Sequence, residues 1–192
     1  MSVEAEAGRA AVSNSLERVK RGALMEVILR DVRLMLVALW LGAAVFFSAA
    51  VAPSAFAVLR SQHAPNAGHL AGSIVTRTLA IINTSGFFIS LLLLLTAFAF
   101  RAGLSRRAYY AELISLALVA LVTGVGQWII NARLLALRLA MGRPIDEVDL
   151  SDPLRVAFNS LHGYSVVALG IGILAASVAL LLIARRTKSL AS

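Results

Sequence analysis

The chain has 192 residues, 59% of them hydrophobic and 15% charged, with a formal charge of +8 and no cysteine. That length holds one domain, the apolarity places it among membrane proteins, and the missing thiols exclude disulfides, thiolate metal sites and cysteine catalysis. The positive charge does not point to nucleic acid, because Lys and Arg gather at the ends of apolar stretches instead of forming a basic stripe with interleaved aromatics.

Residues 1–32 read as an N-terminal arm. Residues 1–15 are small and polar and are expected to be mobile. From Leu16 the apolar Leu16, Val19, Ala23 and Val27 recur at helical spacing opposite Glu17, Arg18, Lys20 and Arg21. That pattern predicts an amphipathic interfacial helix lying on the membrane surface, an ordinary solvated helix being the alternative. Gly22 weakens either one. Ala55, Phe56 and Ala57 fit a small-x-small cleavage pattern, but the apolar run ahead of them far exceeds the roughly 7–15 residues of a signal peptide, so no cleavage is expected.

A hydrocarbon core roughly 30 Å thick takes about 20 apolar helical residues to cross. The charge-free windows 34–59, 78–100, 113–132 and 156–184 are each long enough. They set an all-α, polytopic bundle of four transmembrane helices over residues 33–186, with spans at about 34–59, 79–100, 112–132 and 158–184. In the first span Pro53 removes the backbone bond to the Ala49 carbonyl and predicts a kink there. The loop that follows carries His63 and His69, reads as a turn at Pro65 and Asn66, and enters the second span as a helix from Ala67. A short basic turn over residues 101–107 precedes the third span, which continues as a helix out of the membrane over residues 131–141. The connector 142–152 is acidic, and Ser151, Asp152 and Pro153 form a helix start.

Twelve Lys and Arg fall on the side of the N-terminus, the second connector and the C-terminal end from Arg185 through the tail 187–192, against six on the other side. This predicts that both termini are cytoplasmic. In a plasma membrane, the bacterial inner membrane by the Ala-, Leu- and Arg-rich composition, the other connectors then face outward.

Counting 1.5 Å per residue from each span's midpoint puts Pro53, Asn83 and Gln127 about 10 Å from the midplane on the non-cytoplasmic side. Ser165 falls near that level, and Asn131, Asn159 and His162 fall nearer the surface. The inner half reads as almost purely Leu, Ala, Val and Ile, with Glu112 at an edge and no acidic residue inside a span. Polar groups in hydrocarbon have to face each other or a wet pocket. Two readings follow: an outward-opening pocket lined by His162, Ser165, Asn83, Gln127 and Asn131, or hydrogen-bonded glue between helices, each bond worth around 1 kcal/mol or less.

Nothing in the chain pairs a nucleophile with a base, and no HExxH, phosphate-binding glycine loop or paired intramembrane carboxylates occur, so no enzymatic activity, metal or cofactor is expected. Small residues at Ala168, Gly172 and Ala176, and at Ala38 and Gly42, let helix backbones approach closely. They serve packing within the bundle or a homo-oligomer formed through the Gly42 or Gly172 face, with Gly42 the expected close-packing point of a tight inner half. The lipid bilayer is the one certain partner.

Trp40-x-Gly42, Phe46, Ala52-Pro53-x-x-Phe56, Ala71-Gly72 and Leu161-His162-Gly163-Tyr164-Ser165 occur in that order. Together they resemble the multi-pass membrane family called domain of unknown function 4149, that of transmembrane protein 205 and its relatives, over residues 33 to about 185. Trp40, Gly42, Pro53, Phe56, His162 and Ser165 are the matching positions. The resemblance implies a four-helix membrane fold and carries no established reaction. A fainter likeness, to copper-resistance membrane proteins with a Trp-x-Gly helix and a late histidine, lacks their fuller set of spans and metal-ligating residues.

Overall fold

Long uncharged runs have few ways to satisfy their backbone in hydrocarbon, and a helix does so within a single segment. The computed structural model describes residues 2–98 and 105–185, and their side chains from residue 17 on, apart from those of Val19 and Ala23. Among these residues there are helices and turns and no strand. The expected tail at 187–192 and most of the basic turn at 101–107 lie outside the described residues.

The elements run α1 (Ser2–Phe46), a π-helical segment (Phe47–Val51), α2 (Ala52–Ser61), α3 (Ala67–Ala97), α4 (Arg106–Gly124), a second π segment (Val125–Asn131), α5 (Ala132–Met141), a 3₁₀ turn (Ile145–Glu147) and α6 (Pro153–Arg185). α1 and α2 join through the first π segment, and α4 and α5 through the second, so the chain makes four rods. Each is long and apolar enough to cross a membrane, as a multi-pass membrane protein requires. Neighbours in sequence pack side by side, and α6 closes the ring against α1, giving an antiparallel four-helix bundle. The α2–α3 and α5–α6 connectors lie at one end, called here the loop end. Arg33 and the last turn of α6 lie at the other, the terminal end.

Local chemistry sets the ends of the rods. Asn66 adopts a left-handed conformation (φ 55°) before α3, and Gly142 does the same (φ 63°) after α5. Ser105 caps α4 by accepting a bond from the Ala108 N–H at 3.3 Å, and Asp152 caps α6 by accepting from the Leu154 N–H at 2.8 Å. The turn at Asn66, the helical exit of the third rod and the start of α6 at Pro153 all match the sequence reading.

The N-terminal arm differs from it. Instead of a separate surface helix, the arm continues the first span without a break. The 42 residues Lys20–Ser61 make roughly 60 Å of helix, about twice the hydrocarbon thickness and more than one crossing takes. A single glycine at position 22 costs only about 1 kcal/mol of helix propensity, too little to break so long a rod.

Apolar side chains cover the outside of the bundle, among them Leu39, Phe46, Ile81, Leu95, Ile114 and Leu174, all exposed. The buried core is made of smaller or interdigitating groups: Ala44, Leu93, Leu116, Val119, Ala176, Ala179 and Ile183. Trp40 is its organising side chain. Its indole N–H donates to the Ile82 carbonyl at 2.9 Å. A Cβ on Gly86 would come within 2.5 Å of the indole nitrogen, and one on Gly172 within 3.6 Å of the far edge of the ring. The indole therefore sits between two glycines, one on α3 and one on α6, and Gly172 acts inside the bundle. Gly42, expected as a close-packing point, instead faces outward with nothing within 4 Å of the place a Cβ would take. The face of α1 that meets the core runs through Val37, Trp40, Ala44 and Phe47, and position 42 falls off that stripe.

The terminal half is not purely aliphatic either. Arg33 and Glu112 are buried, at 4% and 0% exposure, and form an ion pair at 2.8 Å. The same guanidinium donates to the Leu93 carbonyl at 2.8 Å and to the Thr96 hydroxyl. Glu112, at the edge of the third span in the sequence, is thus packed inside the protein. The first and third rods are diagonal in the ring, so Arg33 reaches across the bundle and ties α1, α3 and α4 with one side chain.

Candidate functional site

The polar residues near the loop end separate into two groups. Asn83 is buried on α3 with its amide against Gly126, where a Cβ would come within 2.9 Å of its Nδ2. This confirms that Asn83 and the second π segment share a level. Gln127, next along, keeps its Oε1 buried without a hydrogen-bond partner, and Asn131 is half-buried in the same segment. None of the three lines either cavity that His162 lines.

His162 and Ser165 belong to the other group. They line a cavity of about 250 Å³ between the first rod, α3 and α6, with Phe47, Ser48, Ala52 and Phe56 opposite them. The single expected pocket is therefore half of what the sequence proposed. Asn83 and Gln127 fill helix contacts, whereas His162 and Ser165 face open space. The wall opposite α6 depends on the first π segment. There the Ala52 N–H bonds the Phe47 carbonyl, five residues back, and the Ser48 hydroxyl donates to the Ala44 carbonyl at 2.8 Å. A wide turn of this kind absorbs the interruption that Pro53 imposes. Pro53 itself points outward, so it shapes the wall through its neighbours and is not part of it.

A second cavity of about 240 Å³ adjoins the first toward the loop end and shares Phe56, Val75 and His162 with it. Its character is basic. Arg60, Arg138 and Arg155 line it together with Thr76, Asn159 and Asp146. Arg138 lies over the Phe158 ring at 5.2 Å and Arg60 over Phe56 at 5.7 Å, both within cation–π range. Arg138 also crosses Gly72 so closely that a Cβ there would meet its Nη2 at 2.8 Å. Arg155 is held by donating to the Val148 carbonyl. Asp146 accepts from the His69 N–H at 2.9 Å and so completes the N-terminus of α3 from the far connector. Among the described residues none of the three arginines forms an ion pair, and the Nε atoms of Arg138 and Arg155 are buried without hydrogen-bond partners.

His63 is exposed on the loop and His69 is half-buried at the start of α3. No group of three or more His, Cys, Asp or Glu able to hold a metal occurs among the described residues.

A family model described as a domain of unknown function, DUF4149, matches residues 35–143, more than half of the 192 residues. The chain belongs to the DUF4149 family. No curated protein and no solved structure matches it. The DUF4149 match takes in Trp40, Gly42, Pro53 and Phe56 and stops before α6, so His162 and Ser165 come to the cavity from outside the matched region.

The three arginines are what sequence reasoning missed, since each looked like an ordinary interfacial charge. A signal was present. Arg138 and Arg155 flank the acidic connector at helical positions facing back toward the bundle, and Gly72 on α3 leaves the gap that one of them fills.

Proposed function

We propose that this DUF4149 protein is a non-enzymatic protein of the plasma membrane that binds a small solute in the two-part chamber around His162. Its termini lie in the cytoplasm and the chamber opens outward, as the excess of Lys and Arg at the terminal end favours. The observation that carries the reading is the chamber itself: two adjoining cavities of about 250 and 240 Å³ that meet at His162. Four helices make too narrow a bundle for a central pore, and permeation in this reading takes an oligomer, for which the open Gly42 face of α1 is the available surface.

A structural role is favoured for the other half of the polar layer, where Asn83 packs against Gly126. The two roles separate by cysteine labelling, because the chain has no cysteine of its own. In full-length protein in neutral maltoside micelles, His162→Cys is expected to react with a water-soluble maleimide and Asn83→Cys to stay unreactive. A His162→Cys protein as inert as Asn83→Cys means a dry layer and ends the binding proposal.

A further inference from the structure

The two halves of the chamber differ in chemistry, and the difference names an occupant, which deepens the binding role proposed above and rests on it. Toward the loop end, three guanidinium groups face one carboxylate, and that carboxylate is engaged with the His69 N–H at 2.9 Å. The Nε atoms of Arg138 and Arg155 are desolvated and unpartnered. A buried donor left unpaired is costly, and a charged one more so, so two arginines that line one cavity and each carry such an atom point to an acceptor of negative charge. Arg138 is fitted to its place by Gly72 and Phe158, and Arg155 is tethered to the Val148 carbonyl. Both are thereby pre-positioned, and planar guanidinium groups match phosphate oxygens in paired hydrogen bonds.

The other half is apolar. Phe47, Leu79, Leu169 and Ile173 line it, and Val166 and Gly170 at its rim lie on the exposed, lipid-facing side of α6. A free inorganic anion has no use for this half. Its volume of about 250 Å³ equals roughly eight water volumes at about 30 Å³ each, enough for the first part of one acyl chain whose remainder returns to the bilayer.

We propose that the chamber binds an anionic phospholipid, with the phosphate among Arg60, Arg138 and Arg155 and the start of one acyl chain against Phe47 and Leu169. His162, common to both halves, sits at the junction of headgroup and chain.

The test uses His162→Cys in the full chain, in maltoside micelles that contain no phosphate, with His63→Cys on the exposed loop as the surface reference. Phosphatidate added to the micelles is expected to slow maleimide labelling at position 162 relative to position 63. The effect is roughly tenfold when the lipid exceeds its dissociation constant about tenfold. Arg138→Gln is expected to remove this protection. Arg60→Gln, at an exposed position where folding is not at stake, is expected to weaken it. Labelling at position 162 without protection by phosphatidate overturns the lipid assignment and leaves the chamber standing. Equal protection by inorganic phosphate also overturns it, in favour of a soluble anion. Protection that survives both arginine substitutions overturns the placing of the headgroup. No labelling at position 162 in any condition overturns the chamber and the lipid together.

Discussion

Arginine appears in two settings at opposite ends of this bundle. At the terminal end, Arg33 is matched by Glu112 at 2.8 Å, by the Leu93 carbonyl and by the Thr96 hydroxyl, and water has no way in. At the loop end, Arg138 and Arg155 are held in place by an aromatic ring, a glycine gap and a backbone carbonyl, yet none of these neutralises charge. Both ends meet the cost of a cation near hydrocarbon, but only the first does so within the chain. A charge with an ion-pair partner inside the bundle serves as a fastener, and one held in place without an ion pair is, in the reading proposed above, the group that meets a ligand. The charge pair fixes how three helices are rotated, and the open arginines line a cavity, which is the receptor in that reading.

The largest effect separating the two ends is on stability. Glu112→Gln leaves Arg33 buried without its counter-charge and is expected to cost about 3–5 kcal/mol of unfolding free energy. Arg138→Gln is expected to stay within about 1 kcal/mol of the parent protein. Thermal unfolding in neutral detergent measures both, and an Arg138→Gln protein as unstable as Glu112→Gln erases the distinction drawn above. Joint replacement of Arg33 by Met and Glu112 by Leu is expected to recover most of the loss, since an apolar pair of similar volume leaves no charge uncompensated.

Next in size is the glycine contrast along Trp40. Gly86→Ala drives a methyl group to within 2.5 Å of the indole nitrogen and is expected to destabilise by about 1–3 kcal/mol. Intrinsic tryptophan fluorescence should shift as the Ile82 bond is lost. Gly42→Ala meets nothing and is expected to be neutral, or to stabilise by up to about 1 kcal/mol through helix propensity. A destabilising Gly42→Ala in the membrane, with none in dilute detergent, would place a second copy of the chain on that face.

The smallest effect lies in the connector. Asp149 accepts from the Ser151 hydroxyl at 2.6 Å and from its N–H at 2.8 Å. These bonds, with lesser help from Arg155 and Arg143, hold its carboxyl below the ordinary carboxylate value. A carboxyl lowered on folding stabilises the turn above its unfolded value, and that contribution is lost as pH falls through the folded one. The Ser151 amide resonance should therefore titrate with a midpoint below the usual Asp value of about 3.9. Ser151→Ala should raise that midpoint by removing the hydroxyl bond.

Much of the fold was legible because hydrocarbon leaves few choices. Uncharged runs of sufficient length gave four spans, and Asn66, Gly142 and Asp152 marked ends that the structure confirms. Depth counting also placed Asn83 and Gln127 at one level, which the contact of Asn83 with Gly126 bears out. Counting along an axis says nothing about rotation around it, and the misses within the spans follow from that. Gly42 and Pro53 face outward. Asn83 and His162 share a layer but not a cavity. The Arg33–Glu112 pair needed the rotations of two helices 79 residues apart in sequence, although one clue was available. Spans 1 and 3 run in the same direction, and each opens with one charge of opposite sign at the same membrane side.

The first π segment has a consequence for how this chain tolerates changes in length. A π turn holds one residue more than an α-helical turn, so the first rod contains a surplus position between Trp40 and Phe56. Deleting Ala49 should let the rod close into a regular helix and leave Arg33 and Trp40 undisturbed. The residues beyond, Phe56 and Arg60 included, should keep close to their present facing, because the residue removed is the surplus one. The same deletion within α3 has no surplus to absorb it and should misalign Ile82 and Gly86 against Trp40. A single deletion in the first rod is thus taken up where it falls, in the manner of an adjustable joint, whereas one in α3 is passed on to the core.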